Sequence, residues 1–369
     1  MKQSNYNRPY VMRTNRVRRT YTGGKMIDLW QGNIEGKDTE CPEEWIASVV
    51  EAYNPGWNAI RDEGLSLLET SNNKSIKLRE LIHKDPEGIL GPAHVKHFGE
   101  STGMLIKALD SAERLSFQVH PDTKSAEKIF HSPFGKTEAW YFLGDRNDSN
   151  GESCIYLGFK EGITREKWED IFYRQDIPAM ASSLHRIPVK QGDMFFVDGG
   201  VPHAIDKGCF CIEIQEPTDY TFLTDRTNTR GMVISDEMCH CGAGFPNMFD
   251  SFHYEGLTEE EVKRRWHIQP RVIQETVQIR ETLLLGKPTT DKFSLHSMEI
   301  FKDYSPEPKN CFSVMIVSEG SCCIKWNGGE LAVSRGQSVF IPFTAPRINI
   351  IPDKNCTILG CYPPCGVLK

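Results

Sequence analysis

The sequence predicts a mainly β protein of two related β-modules, with helices in an N-terminal segment and in an insertion. Three observations lead there. Short aliphatic and aromatic runs recur from about Leu105 to the C-terminus, punctuated by Gly, Pro, Asn and Asp. Inside them polar residues recur at the two-residue period that puts i and i+2 on one face of a strand. A faint internal echo links Gly192, Asp198, Gly199, Gly200 and His203 with Gly336, Pro342 and, at the position equivalent to His203, Arg347. Each segment reads as a turn, a strand and a tight corner.

Taken in order, residues 1–100 form a mixed segment packing on the first module. Its start is Arg-rich (Arg8, Arg13, Arg16, Arg18, Arg19) and lacks the apolar core of a signal peptide. Leu78, Leu81 and Ile82 have helical spacing, and Pro86 closes that run. Residues 91–102 read as a connection. Strands are expected at 105–109, 115–120, 137–143, 154–159, 194–198 and 209–215. Helices interrupt them at 125–130 and at 164–173, where Trp168, Ile171 and Phe172 share a face. Thr258 with Glu261 makes a capping-box signature before Val262 and Trp266. The polar stretch 227–247 reads as a linker or lid. Strand character resumes near Ile279, with strong runs at 312–317 and 338–343. The expected organisation is therefore 1–100, a metal-binding module at 101–226, a linker with a helix at 227–278, and a second module without a metal site at 279–369.

A chain of 369 residues is long enough for two domains. Hydrophobic content of 39% and charged content of 25% are those of ordinary globular proteins. A net charge of -7 argues against a dedicated nucleic-acid binder. No apolar run reaches the roughly 18 residues of a membrane span. Twelve cysteines, many flanked by apolar residues, suit a reducing cytoplasm. Cys209-Phe210-Cys211 and Cys322-Cys323 read as small core residues. Cys239-His240-Cys241 has metal-like residue types but no second pair at zinc-finger distance, and reads as an ordinary loop rather than a second metal site.

Two polar pairs sit inside apolar runs: Gln118 with His120, and Lys136 with Glu138. Buried polar groups are costly unless paired or bound to something. A divalent metal held by Gln118, His120, Glu138 and His203 supplies the reason. One amide, two imidazoles and one carboxylate suit zinc best. Lys136 faces with Glu138, where it is placed to transfer protons or hold an anion, or else simply pairs with Glu138. Asp219 reads either as a carboxylate base or as a turn former.

These residues resemble the class I mannose-6-phosphate isomerases, zinc enzymes of the cupin superfamily. Leu115-Ser116-Phe117-Gln118-Val119-His120-Pro121-Asp122 is similar to that family's first metal motif, and Gly135-Lys136-Thr137-Glu138-Ala139-Trp140-Tyr141 to its second. Gly192-Asp193 through Pro202-His203-Ala204-Ile205, then Glu213-Ile214-Gln215, is similar to its third. The likeness is close over about 105–220, looser at Glu44-Trp45-Ile46-Ala47-Ser48, and general over about 311–363. It implies two cupin-type jelly-roll β-barrel modules and one zinc per chain on Gln118, His120, Glu138 and His203. It also implies a sugar phosphate substrate, with mannose 6-phosphate and fructose 6-phosphate interconverted through a cis-enediol. Lys136 and Asp219 match polar residues of the family's active site. One departure stands out: the family usually has an Arg four residues after the position of Asp219, and this chain has Leu223. Leu cannot supply a cationic fork. Arg226, from a shifted loop, is the candidate replacement, while N-terminal basic residues and Lys107 are candidates for the phosphate. The departure keeps a rival in view, a metal-binding cupin that binds or senses a sugar without catalysis, or an isomerase of a different sugar phosphate. An iron oxygenase is disfavoured by Gln118 and Lys136, and a metal-free storage double-cupin by the concentration of polar groups in the first module.

Overall fold

The computed structural model describes residues 6–55, 57, 60–70, 74–146 and 152–364. The chain is mainly β. A seven-stranded sheet runs, from edge to edge, through His267–Ile268, Met194–Val197, Glu138–Asp145, Cys209–Gln215, Leu105–Asp110, Glu43–Ile46 and Arg16–Val17. Opposite it lies a five-stranded sheet of Leu184–Pro188, Cys154–Phe159, His203–Ile205, Gln118–Val119 and Phe222–Leu223. The C-terminal half supplies six strands of a second seven-stranded sheet, completed by Tyr10–Val11, and a separate three-stranded sheet. None of these strand orders returns to its starting strand, so the sheets are open and the barrel expectation is met only as stacked sheets. Two-residue strands at both edges of the first seven-stranded sheet leave little backbone with which to close it.

Strand parity explains how charge reaches the interior. Along Cys209–Gln215, Glu213 is registered with Lys107 on one neighbour and Trp140 on the other. Trp45 is registered with Lys107 in turn. With a two-residue period, Glu43, Lys107, Glu213 and Glu138 all face the five-stranded sheet. The alternate residues face away: Ile106, Ala108, Ile212 and Ile214 share one core cluster with Leu295, Val314, Ile316 and Leu359 of the C-terminal sheet. Full burial of each such side chain contributes about 1.5–3 kcal/mol, so the two halves are joined through apolar faces.

The helices follow their sequence signals. Helix Thr123–Phe130 starts at Asp122, whose carboxylate accepts the Ser125 N–H. Helix Arg165–Arg174 buries Trp168, Ile171 and Phe172. They pack with Phe159 of the five-stranded sheet and with Phe117, Phe249 and Phe252. The capping box of Thr258 and Glu261 is formed at helix Glu259–Trp266. Pro86, expected to end a helix, also begins the next one, Pro86–Leu90, since proline fits a first turn. The 227–247 stretch contains helix Asp236–His240 and the start of Phe245–Asp250. The N-terminal segment serves both halves: Tyr10–Val11 pairs with Ser338–Ile341, whereas Arg16–Val17 and Glu43–Ile46 extend the first sheet. Gly192 and Gly336 both adopt positive φ two residues before a strand, as their echo requires. No helix among the described residues is long and apolar enough to cross a membrane.

Candidate metal centre and its cavity

His203 and Gln118 are paired on adjacent antiparallel strands of the five-stranded sheet, and Glu138 begins its strand in the facing sheet. His120 lies one residue beyond the strand that holds Gln118. The four side chains therefore converge from two sheets. His120 Nε2 lies 3.1 Å from Glu138 Oε2, and His203 Nε2 lies 3.3 Å from Glu138 Oε1. The Gln118 amide lies 3.1 Å from His203 Nε2. His120, Glu138 and His203 are each about 99% buried.

Both imidazoles are held with Nε2 aimed at the carboxylate. His120 Nδ1 lies 3.0 Å from the Tyr220 carbonyl oxygen, and His203 Nδ1 lies 2.9 Å from that of Val201. A carbonyl only accepts, so each Nδ1 carries a proton and each Nε2 is left to face the carboxylate. This is how histidine ligands are usually oriented. Burial first, then the Lys136 ammonium, pushes His120 down to about 3, which keeps it neutral. Burial would raise Glu138, but the Lys136 ammonium beside it holds its carboxyl well below the usual range. Two imidazoles and an ionised carboxylate, with ligand atoms within 4.8 Å of one another, fit a divalent cation. Among the described residues no other group of three or more His, Cys, Asp or Glu could hold an ion. Cys239 instead joins an apolar cluster with Leu223 and Met238.

Three backbone segments clasp one another beneath the centre. The Lys136 N–H donates to the Pro121 carbonyl at 3.0 Å, and the Gly200 N–H to the His120 carbonyl at 2.7 Å. A Cβ on Gly135 would lie 2.6 Å from the Pro121 oxygen, and one on Gly199 would lie 2.6 Å from the Asp122 Cα. Both obstacles are backbone. We expect Gly199→Ala to push the His203 corner away from His120, lowering affinity for a divalent metal by about 10–100-fold, the scale of losing a supporting contact. Competition with a chromophoric chelator reads this, and wild-type retention would refute the clasp.

The centre opens into a cavity lined by charged side chains, among them Arg19, Glu43, Lys107, Glu213 and Asp219. Lys136 lines it, with Nζ 2.6 Å from His120 Nε2 and 2.9 Å from Glu138 Oε2. Its ammonium thus bonds the lone pairs a metal would use, so a metal and Lys136 compete there. Asp219 also lines the cavity, but its oxygens are engaged by Arg19 Nη2 at 3.0 Å and the Tyr53 N–H at 2.8 Å. Arg226 is elsewhere: it bonds Asp236, lies over the Phe245 ring, and is absent from the cavity lining. Leu223 lines the cavity beside Gln118, its register partner.

Glu43 and Glu213, not expected as site members, join the anion candidates Arg19 and Lys107 in a buried ladder of alternating charge. Arg19 Nε bonds Glu43 at 2.9 Å, and Lys107 bonds Glu213 at 2.9 Å while lying 3.8 Å from Glu43. Burial raises Glu43, yet Arg19 and Lys107 outweigh it and bring the carboxyl down to about 2. Burial dominates at Glu213, whose carboxyl is raised. Buried charges persist only when paired and hydrogen-bonded. The one sequence signal was a set of charges within strand-like runs, with Arg19 among five N-terminal arginines.

Fold and site together define a mainly β protein with a buried candidate site for a divalent cation inside a charged cavity. Residues 57–147 match the family model described as phosphomannose isomerase type I, catalytic domain. The chain is 34% identical over 217 residues to the probable mannose-6-phosphate isomerase GmuF of Bacillus subtilis (strain 168), covering 58% of this chain and 60% of GmuF. It thus spans about 60% of that curated relative's length. The crystal structure of the mannose 6-phosphate isomerase from Bacillus subtilis shares the fold, with a TM-score of 0.74 at 20% identity, covering 96% of this chain and 99% of that one. A zinc-bound mannose 6-phosphate isomerase superposes with a TM-score of 0.70 at 15% identity, covering 96% and 99%. The likeness to the class I mannose-6-phosphate isomerases carried by the three motifs is borne out by these matches.

Proposed function

We propose that this chain is a zinc-dependent aldose–ketose isomerase that interconverts mannose 6-phosphate and fructose 6-phosphate through a cis-enediol. The observation that carries the reading is the juxtaposition of Lys136 with the His120–Glu138–His203 group inside a charged cavity. Relatives named as mannose-6-phosphate isomerases support it. Gln118, His120, Glu138 and His203 would hold one zinc ion. When bound, the ion supplies Lewis acidity toward the sugar oxygens.

The remaining chemistry belongs to the chain's own side chains. Moving the carbonyl from C1 to C2 removes the C2 proton and returns one to C1, while O1 gains a proton and O2 loses one. Lys136 Nζ is the carrier we assign, since a buried amine beside the reacting carbons can take and return a proton. Asp219 we assign to orienting Arg19, because both its oxygens are already engaged. Arg19 and Lys107, rather than Arg226, are the cations available to an anionic group in the cavity. The two seven-stranded sheets and the Gly192/Gly336 echo support two cupin modules, with the proposed metal ligands in 101–226. Free cysteines throughout both halves support a cytoplasmic setting.

Leu223 favours one rival, in which a sugar binds without turnover or a different sugar phosphate is isomerised. A coupled assay of mannose 6-phosphate conversion, on protein of measured zinc content, decides. Turnover that disappears on chelation and returns with zinc is expected. No turnover at full zinc occupancy would refute the assignment and direct attention to Leu223.

A further inference from the structure

The Lys136–Glu138 segment is braced from the other half of the molecule. Thr137, the residue between them, is bracketed by Glu216: the Glu216 N–H donates to the Thr137 carbonyl at 3.0 Å, and the Glu216 carboxylate accepts the Thr137 N–H at 2.9 Å. The second carboxylate oxygen accepts from Lys292 Nζ at 2.6 Å. Lys292 lies between strands Ile279–Leu285 and Ser294–Ile300 of the C-terminal half. It also donates to Thr123 Oγ1 at 3.3 Å, in the helix that follows His120-Pro121-Asp122. One ammonium thus ties together the segments that carry His120 and Lys136. The residues lining the cavity all lie between positions 19 and 241, so the C-terminal half does not line it, and this tie is a polar link from that half to the segment that carries Lys136.

The physical need for Lys292 comes from Glu216, which is 96% buried. A buried carboxylate bonded only to one amide is poorly compensated. Without the ammonium, one buried Glu216 oxygen loses its partner and the carboxylate is drawn toward water. That weakens its grip on the Thr137 N–H, and the displacement passes to both neighbours of Thr137. Misplacement of a reacting group by about 1 Å can cost on the order of 100-fold in rate.

We propose that Lys292 is a positioning residue: through Glu216 and Thr137, the C-terminal half sets the placement of Lys136 and Glu138. This rests on the reading of Lys136 as proton carrier, and its test keeps the two apart. The full-length, zinc-loaded protein is compared with Lys292→Met and Lys292→Arg, with Lys292→Gln held in reserve should the Met variant not fold. For Lys292→Met, kcat should fall about tenfold with KM changed by less than about twofold, and Lys292→Arg should recover most of the loss. Amide hydrogen exchange should quicken over 133–140 in the Met variant and not in the Arg variant. Wild-type kcat with unchanged exchange would overturn the proposal. So would a fall in kcat accompanied by faster exchange throughout the chain, which marks general destabilisation. Were the wild-type protein to show no turnover, the isomerase reading would fail alone. Exchange over 133–140 and zinc retention would still decide whether Lys292 holds the segment.

Discussion

Glu138→Ala is expected to abolish both zinc retention and turnover, the largest effect of any single substitution here. Glu138 is the one anionic donor between the two imidazoles, at 3.1 and 3.3 Å from their Nε2 atoms. Removing groups that merely support metal ligands costs about 10–100-fold in affinity, and loss of a charged ligand should exceed that. The substitution also strands the buried Lys136 ammonium, whose carboxylate partner lies 2.9 Å away. Breaking a buried pair on one side costs about 3–5 kcal/mol, so a thermal melt must accompany the metal analysis. Glu138→Gln keeps the volume and lone pairs while removing the charge. It should stay folded and still lose most of its zinc. A folded Glu138 variant with full zinc and full turnover would show that the centre lies elsewhere.

How much of this was open to a reading of the sequence depends on how local each feature is. Two-residue periodicity places Gln118 with His120 and Lys136 with Glu138, and all four do converge on one centre. That periodicity says little about where a strand stops. The expected strand at 115–120 shortens to Gln118–Val119 because Phe117 bonds outside any ladder, its N–H to the Asp225 carboxylate and its carbonyl to the Thr224 N–H. Arg226 looked a fitting replacement for a missing arginine by proximity in sequence. Its guanidinium instead meets Asp236, ten residues on, at the first turn of a helix. The cation that does reach Asp219 is Arg19, 200 positions away. No local pattern encodes that pairing, since it depends on the N-terminal strands adding to the edge of the first sheet. The Lys292–Glu216 tie has the same character, spanning 76 positions between sheets.

Lys136→Met should separate chemistry from metal binding. Met preserves much of the lysine stem and its apolar contacts but carries no ammonium and no exchangeable proton. Removing the ammonium relieves competition for the His120 and Glu138 lone pairs, 2.6 and 2.9 Å from Nζ. Zinc should therefore be kept, with affinity equal to or above that of the wild type. Turnover should fall by about 10²–10⁴-fold, the usual contribution of a positioned acid–base group, with KM changed far less than kcat. An isotope-washout experiment sharpens the reading. Wild-type enzyme run in deuterated water should place deuterium on the carbon that receives the proton, and Lys136→Met should suppress incorporation in step with kcat. Unchanged kinetics and unchanged incorporation would remove Lys136 from the mechanism. Loss of zinc together with turnover would instead make the lysine part of the metal centre's support, and the proton carrier would have to be sought among the ladder carboxylates, with Glu213, whose carboxyl burial already raises, first among them.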